Sequence, residues 1–155
     1  MDSLKISSWE ELYHIDKSSH IELLNDIDGE FVKIPYLIEL FKGELNGNGH
    51  IIRNIILSGA VYDDAQRIAL INYMSHAVIR DVRFENIVME IDKGLYSPKI
   101  AGLCVECYKS SINNVSMEIS TADNVQIPLI LEKSDSSFTG IEYKCNGRDA
   151  PIYEY

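Results

Sequence analysis

Three short segments carry one pattern. "IRNIIL" at 52–57, "IRDVRF" at 79–84 and "INNVSM" at 112–117 each run Ile, polar, Asn or Asp, β-branched, any residue, large apolar. Each follows an apolar segment: "LFKGEL" at 40–45, "IALINYM" at 68–74 and "IAGLCVEC" at 100–107. The second and third copies keep register, because Leu70 to Leu103 and Ile79 to Ile112 are both 33 residues apart, whereas Ile52 and Ile79 are 27 apart. A unit of this size cannot bury its own apolar face, so copies must stack, like strand on like strand, with insertions placed in loops. Period-2 alternation in each unit fits strands and leaves the inward face open.

Between the first apolar segment and its strand lies "NGNGH", Asn46 to His50. Gly and, less readily, Asn take positive φ, so the cluster marks a sharp bend between two strands, with Gly47 and Gly49 expected to supply that φ. The third position of the three copies holds Asn54, Asp81 and Asn114. Two readings stand: the side chains stack at a bend and satisfy backbone groups there, or they are ordinary solvent-facing turn residues.

"FKGELNGNGHIIRNIIL", "ALINYMSHAVIRDVRFENIVM" and "AGLCVECYKSSINNVSMEI" together resemble the right-handed parallel β-helix repeats of the pectate-lyase-like superfamily, especially the short GLUG-type repeats of bacterial surface proteins. "HIELLNDIDGEF" at 20–31 is similar to the lead-in such families place before the first turn. The resemblance covers roughly residues 7 to 120 and departs at Asn46, where Asp is usual, and at Cys104–Cys107, where Phe-Gly would fall. It implies an all-β chain, a short right-handed parallel β-helix of about three turns, and says little about function, since the architecture hosts lyases, hydrolases, adhesins and phage proteins.

One domain is expected over 1–155: an N-terminal cap at 1–20, repeats at 21–120 and a C-terminal cap at 121–155. Stacked strands leave open ends that need covers. Ser8 with Glu11 forms a capping box, and Trp9, Leu12 and Tyr13 share a helical face, so a short helix is expected at the first end. At the other, "VQIPLILEK" (125–133) and "FTGIEYKC" (138–145) read as an antiparallel hairpin or an irregular last turn, with Pro128 marking an edge strand.

The charge of −10 opposes direct nucleic-acid binding, since phosphates would be repelled. It is uneven: residues 1–50 hold ten acids and four bases, 51–100 six of each, and 101–155 eight acids and four bases. Cys104, Cys107 and Cys145 form an odd set that suits a reducing compartment. With no apolar run of membrane-spanning length and no signal pattern at the start, a cytoplasmic location is expected, in a host cell if the chain is phage-encoded.

Catalytic chemistry finds little support in the residues. Pectate-lyase-like and polygalacturonase-like sites use clustered carboxylates. The candidates, Asp26 with Asp28 and Asp63 with Asp64, lack the companion Gly-His-Gly, Arg-x-Lys or third stacked Asp. His50 has no carboxylate or nucleophile near it in the chain and reads as a turn residue. Cys104 and Cys107, three apart on a strand, are expected on opposite faces as small buried groups. No catalytic residue, metal or cofactor is assigned.

A binding role remains. The expected function is a non-enzymatic, acidic protein-binding module, an anti-CRISPR-like phage or mobile-element inhibitor that imitates phosphate charge. Its partner would be a protein with a basic surface, such as a CRISPR effector or another nucleic-acid-binding complex. The alternatives are a relative of a surface adhesin repeat and a carbohydrate-active lyase or hydrolase. The partner face is expected at Glu22, Asp26, Asp28, Glu30, Glu39 and Glu44, with Glu132, Asp135 and Glu142 adding to it. An apolar edge at Ile127, Leu129, Leu131, Tyr153 and Tyr155 is the alternative contact, and an exposed strand edge would permit a homodimer.

Overall fold

The computed structural model describes residues 3–58, 67–91 and 98–153. The described residues are all-β apart from one helical turn of five residues, α1 (Trp9–Tyr13), and a 3-10 turn at Ala122–Asn124. Its strands are β1 (Leu4–Ile6), β2 (His20–Leu23), β3 (Ile27–Ile34), β4 (Ile38–Phe41), β5 (Glu44–Asn46), β6 (Ile51–Ser58), β7 (Arg67–Ile68) and β8 (Ile71–Ser75). They continue with β9 (Val78–Glu90), β10 (Lys99–Ile100), β11 (Cys104–Tyr108), β12 (Ser111–Thr121), β13 (Ile130–Ser134), β14 (Ser137–Cys145) and β15 (Arg148–Asp149).

Three sheets form. A nine-stranded sheet runs β1-β2-β5-β9-β12-β14-β15, with β3 attached to β6 and β6 to β9. A four-stranded sheet runs β4-β8-β11-β13, and β7 pairs with β10. The nine-stranded sheet is mixed because β15 joins β14 antiparallel; its other pairings are parallel.

Register explains the repeats and corrects one alignment. Ile79 pairs with Ile112, as the spacing of 33 predicts, but Ile52 pairs with Phe84 and it is Leu45 that pairs with Ile79. "IRNIIL" therefore matches "FENIVM" (84–89), not "IRDVRF". The reason is the Gly cluster: residues 47–50 occupy the bend that Asp81 and Val82 alone occupy in the next level, so two extra residues shift the phase. Restored to this frame, Ile27, Ile52, Phe84, Met117 and Tyr143 form one column. All five are buried, and each such aliphatic or aromatic side chain contributes about 1.5–3 kcal/mol.

The corners are built from left-handed residues. His76, Lys109 and Asp135 (φ 53°, 45° and 51°) follow β8, β11 and β13, and Asp81, Asn114 and Gly140 (54°, 53° and 62°) bend β9, β12 and β14. Gly, Asn and Asp tolerate this region best, and four of these six corners use them; His76 and Lys109 occupy the other two. Behind the first corner small side chains stack: Ala77 N donates to Ser110 Oγ at 3.1 Å and Ser110 N to Ser136 Oγ at 3.1 Å. In the Gly cluster the division of labour differs from expectation. Gly49 has φ +81°, together with Asn48 at 50°, but Gly47 is needed for close approach, since an added Cβ would lie 2.4 Å from the Asp81 carbonyl oxygen.

The Asn/Asp position forms side-chain ladders, in two separate columns. Asn114 Nδ2 donates to Asp81 Oδ1 at 2.8 Å; Asn54 instead donates to Asp28 Oδ1 at 2.9 Å and accepts from Asn86 Nδ2 at 2.8 Å.

The first end is covered as expected. Ser8 is the N-cap of α1, its Oγ accepting from Glu11 N at 3.3 Å, and Glu11 Oε1 accepts from Ser7 N and both serine hydroxyls. Leu12 is buried, Trp9 half-buried and Tyr13 exposed. At the other end the expected hairpin between 125–133 and 138–145 does not form: β13 pairs parallel with β11 and β14 parallel with β12. The antiparallel pair is β14 with β15, turning at Asn146 and Gly147, both at positive φ. Pro128 precedes its strand, and its carbonyl accepts from Gly102 N at 2.8 Å.

Candidate protein-binding surface

The N-terminal end of the sheets brings several carboxylates beside aromatic rings. β3 pairs with β6 on one edge, and residues 29–31 oppose Asn54 alone, so Glu30 and Phe31 are a two-residue insertion. Both lie in the left-handed region, φ 52° and 61°, and Phe31 is 55 % exposed. A non-glycine residue held there costs on the order of 1 kcal/mol, more for an aromatic ring than for Asn. The bulge is held firmly: Asp28 Oδ1 accepts from Glu30 N at 2.8 Å, and Gly29 sits so close to the next level that a Cβ would meet Asn54 O at 2.8 Å. A groove of about 340 Å³ separates the bulge from α1, lined by Trp9, Glu10, Asp26, Asp28, Gly29 and Glu30 among others.

Asp26 and Asp28 are held as carboxylates. The Ile51 amide donates to Asp26 Oδ1 at 3.0 Å and lowers its pKa, aided by His50 and Arg53; the Asn54 amide does the same for Asp28, aided by Glu30 N and Arg53. His50 corrects the sequence picture. Its Nδ1 lies 3.2 Å from Asp26 Oδ1, so a residue 24 positions earlier supplies the carboxylate that the local sequence lacks. The arrangement ties the bend after β5 to the lead-in and is half-exposed.

The expected acidic residues are not gathered on one face. Glu22 on β2 is neighboured by Asn48, and Glu44 on β5 is paired with Arg80 at 2.8 Å and with His20 at 3.6 Å. Glu39 lies on β4 and Glu132 on β13, both in the four-stranded sheet, and Glu132 meets Lys99 at 3.5 Å. Asp135 sits at a corner, and Glu142 lines a separate groove of about 530 Å³ with Asp81, Arg83, Asn114 and Ser116. Glu10, Glu30, Glu39, Asp135 and Glu142 make no ion pair among the described residues. Asp63, Asp64 and Tyr155 lie outside the described residues. Of the alternative apolar edge, Ile127 and Leu129 are buried, and Leu131 and Tyr153 half-buried.

Sequence reasoning passed over Trp9, Glu10 and Phe31 as surface residues. The available signal is the extra pair Glu30–Phe31 after Gly29, visible only once the lead-in is aligned with "IIRNIIL". Cys104 and Cys107 are buried as expected but not on opposite faces: both join the main core, while Val105 between them packs with Ala69 and Ala101, and the Glu106 carbonyl accepts from Cys104 Sγ at 3.1 Å. A hydrogen bond with Cys104 brings the Cys107 thiol down to about 7, and burial pushes Cys104 up. Among the described residues no three His, Cys, Asp or Glu side chains group to hold a metal, and no helix is long and apolar enough to cross a membrane.

No family model matches the chain, and no curated protein or solved structure is found to be similar to it.

Proposed function

We propose that the chain is a short right-handed parallel β-helix that serves as a non-enzymatic, acidic protein-binding module, directed at a basic, nucleic-acid-binding protein complex. The fold reading rests on the columns in which like strands pair in parallel at near-constant spacing: Ile38, Ile71 and Cys104 at steps of 33, and Ile79 with Ile112 at 33, followed by Phe138. An inhibitor of a host defence complex, anti-CRISPR-like in its action, is the role this reading gives the chain.

The observation that carries the binding role is the use made of the carboxylates. Asp26 and Asp28 use their oxygens on backbone and Asn amides, which is structural work, while Glu10 and Glu30 stay exposed beside them and make no ion pair among the described residues. A rigid scaffold with surplus exposed negative charge attracts a Lys/Arg-lined groove and accelerates its approach. The test is capture from a bacterial lysate in the presence of increasing double-stranded DNA. The proposal expects basic nucleic-acid-binding proteins to be retained and DNA to displace them; a captured set without basic proteins, or one unmoved by excess DNA, contradicts it.

A further inference from the structure

We propose that Cys104 and Cys107 bind a soft monovalent metal ion, Cu(I), between their two sulfurs at the edge of the core, with the Met74 thioether on the neighbouring level as the third ligand. The inference is independent of the protein-binding reading and uses none of its residues.

An irregularity of β11 brings the sulfurs together. Residues three apart on a regular strand point to opposite faces. Here Val105 packs to one side with Ala69 and Ala101, while Cys104 and Cys107 both join the main core and hydrogen-bond to one another. Cys104 Sγ also donates to the Glu106 carbonyl at 3.1 Å, which fixes its direction. In the two preceding levels the same pair of positions holds Ile38 with Phe41 and Ile71 with Met74. Among these levels, β11 alone sets two sulfurs side by side. Met74 is the register partner of Cys107 and lies in the same core. Adjacent strands are about 4.8 Å apart, a gap that a flexible thioether spans.

The donor set selects the ion. Thiolate and thioether sulfur favour Cu(I), which is satisfied by two sulfurs in line or three in a plane. A structural Zn(II) site takes four ligands, and among the described residues no third His, Cys, Asp or Glu joins the pair. On binding, two S–H bonds break, two S–Cu bonds form and both protons leave to solvent, so the site carries one net negative charge. Lys133, paired with Cys107 on β13, lies near enough to offset it. The hydroxyls of Ser110 and Ser136 lie against the Cys107 sulfur, and Ser136 is half-buried. The way in from solvent therefore passes small polar side chains at the corner.

The probe is Cu(I) delivered from a competing chelator to the reduced full chain without oxygen. An unfolded C-x-x-C also binds this ion, so the direction of the melting shift decides whether the folded site is the one that binds. The native protein is expected to take up an equimolar amount. Its melting temperature should rise by about 5 °C or more when free Cu(I) is about 100-fold above the dissociation constant. Cys104→Ala and Cys107→Ala should abolish the rise, with far-UV circular dichroism of the metal-free variants showing that they fold. Met74→Leu, which keeps the core volume, should weaken Cu(I) about 3- to 10-fold. Cys145→Ala should stay within about 2-fold of native. Zn(II) should leave the melting temperature unchanged. A native melting temperature that is unchanged or lowered by Cu(I) overturns the site even if the alanine variants do not fold. So does an equal rise with Zn(II), loss of binding in Cys145→Ala, or native affinity in Met74→Leu.

Discussion

Asn114 donates from Nδ2 to Asp81 Oδ1 at 2.8 Å across 33 residues, and both hold φ near +53°. The same contact thus joins two levels of the sheet and sets the bend of each. Asn114→Val removes the donor and forces a β-branched residue into the left-handed region, which should destabilise by about 2 kcal/mol. Asn114→Gly should lose about half as much, since Gly140 occupies the equivalent place one level on. Urea unfolding of the two variants separates the contributions.

The two glycines of the bend after β5 act for different reasons and should respond differently. At Gly47 a Cβ would meet the Asp81 carbonyl oxygen at 2.4 Å and Val82 Cβ at 2.5 Å, whereas at Gly49 it would meet nothing within 4 Å but would sit at φ +81°. Gly49→Ala is expected to cost about 1 kcal/mol. Gly47→Ala should cost at least about 3 kcal/mol, because backbone must move. Thermal melts of the two variants check the order.

Phe31 is kept in a strained conformation at an exposed place, so relieving the strain should stabilise the fold. Phe31→Asn is expected to raise the unfolding free energy by about 0.5–1 kcal/mol, since Asn tolerates φ +61°. Chemical denaturation of the native protein and of this variant tests the gain.

Acid should unfold the N-terminal end first. Asp26 and Asp28 have folded pKa values below their ordinary ones, so their contribution is fully present above the unfolded value of about 3.9 and is lost as pH falls through the lower folded values. Between about pH 5 and pH 2 the melting temperature of the native protein should fall more steeply than that of Asp26→Asn/Asp28→Asn. Parallel curves would show that these carboxylates do not sense folding.

Local patterns were legible in the sequence and long-range ones were not. Ser8 and Glu11 announced the helix because a capping box acts within one turn, and Ile79 with Ile112 was found because no insertion separates those copies. Asn54 was matched to Asp81 instead of Asn86 because two extra residues at the Gly cluster shift the phase without altering the strand chemistry on either side. His50 looked unpartnered because Asp26 reaches it only through the stacking of levels. That Cys104 and Cys107 both join the core departs from simple alternation, which puts residues three apart on opposite faces of a strand.

The proposed binding through exposed negative charge makes the affinity sensitive to salt. The dissociation constant for a basic partner captured from lysate should be measured from about 50 to 500 mM salt, for the native protein and for a chain with Glu10, Glu30 and Glu39 reversed to Lys. The affinity is expected to fall steadily as salt rises, and the reversed chain to be folded, weaker at low salt and less dependent on salt. An affinity unchanged by salt and by the reversal would contradict it and show an apolar interface instead.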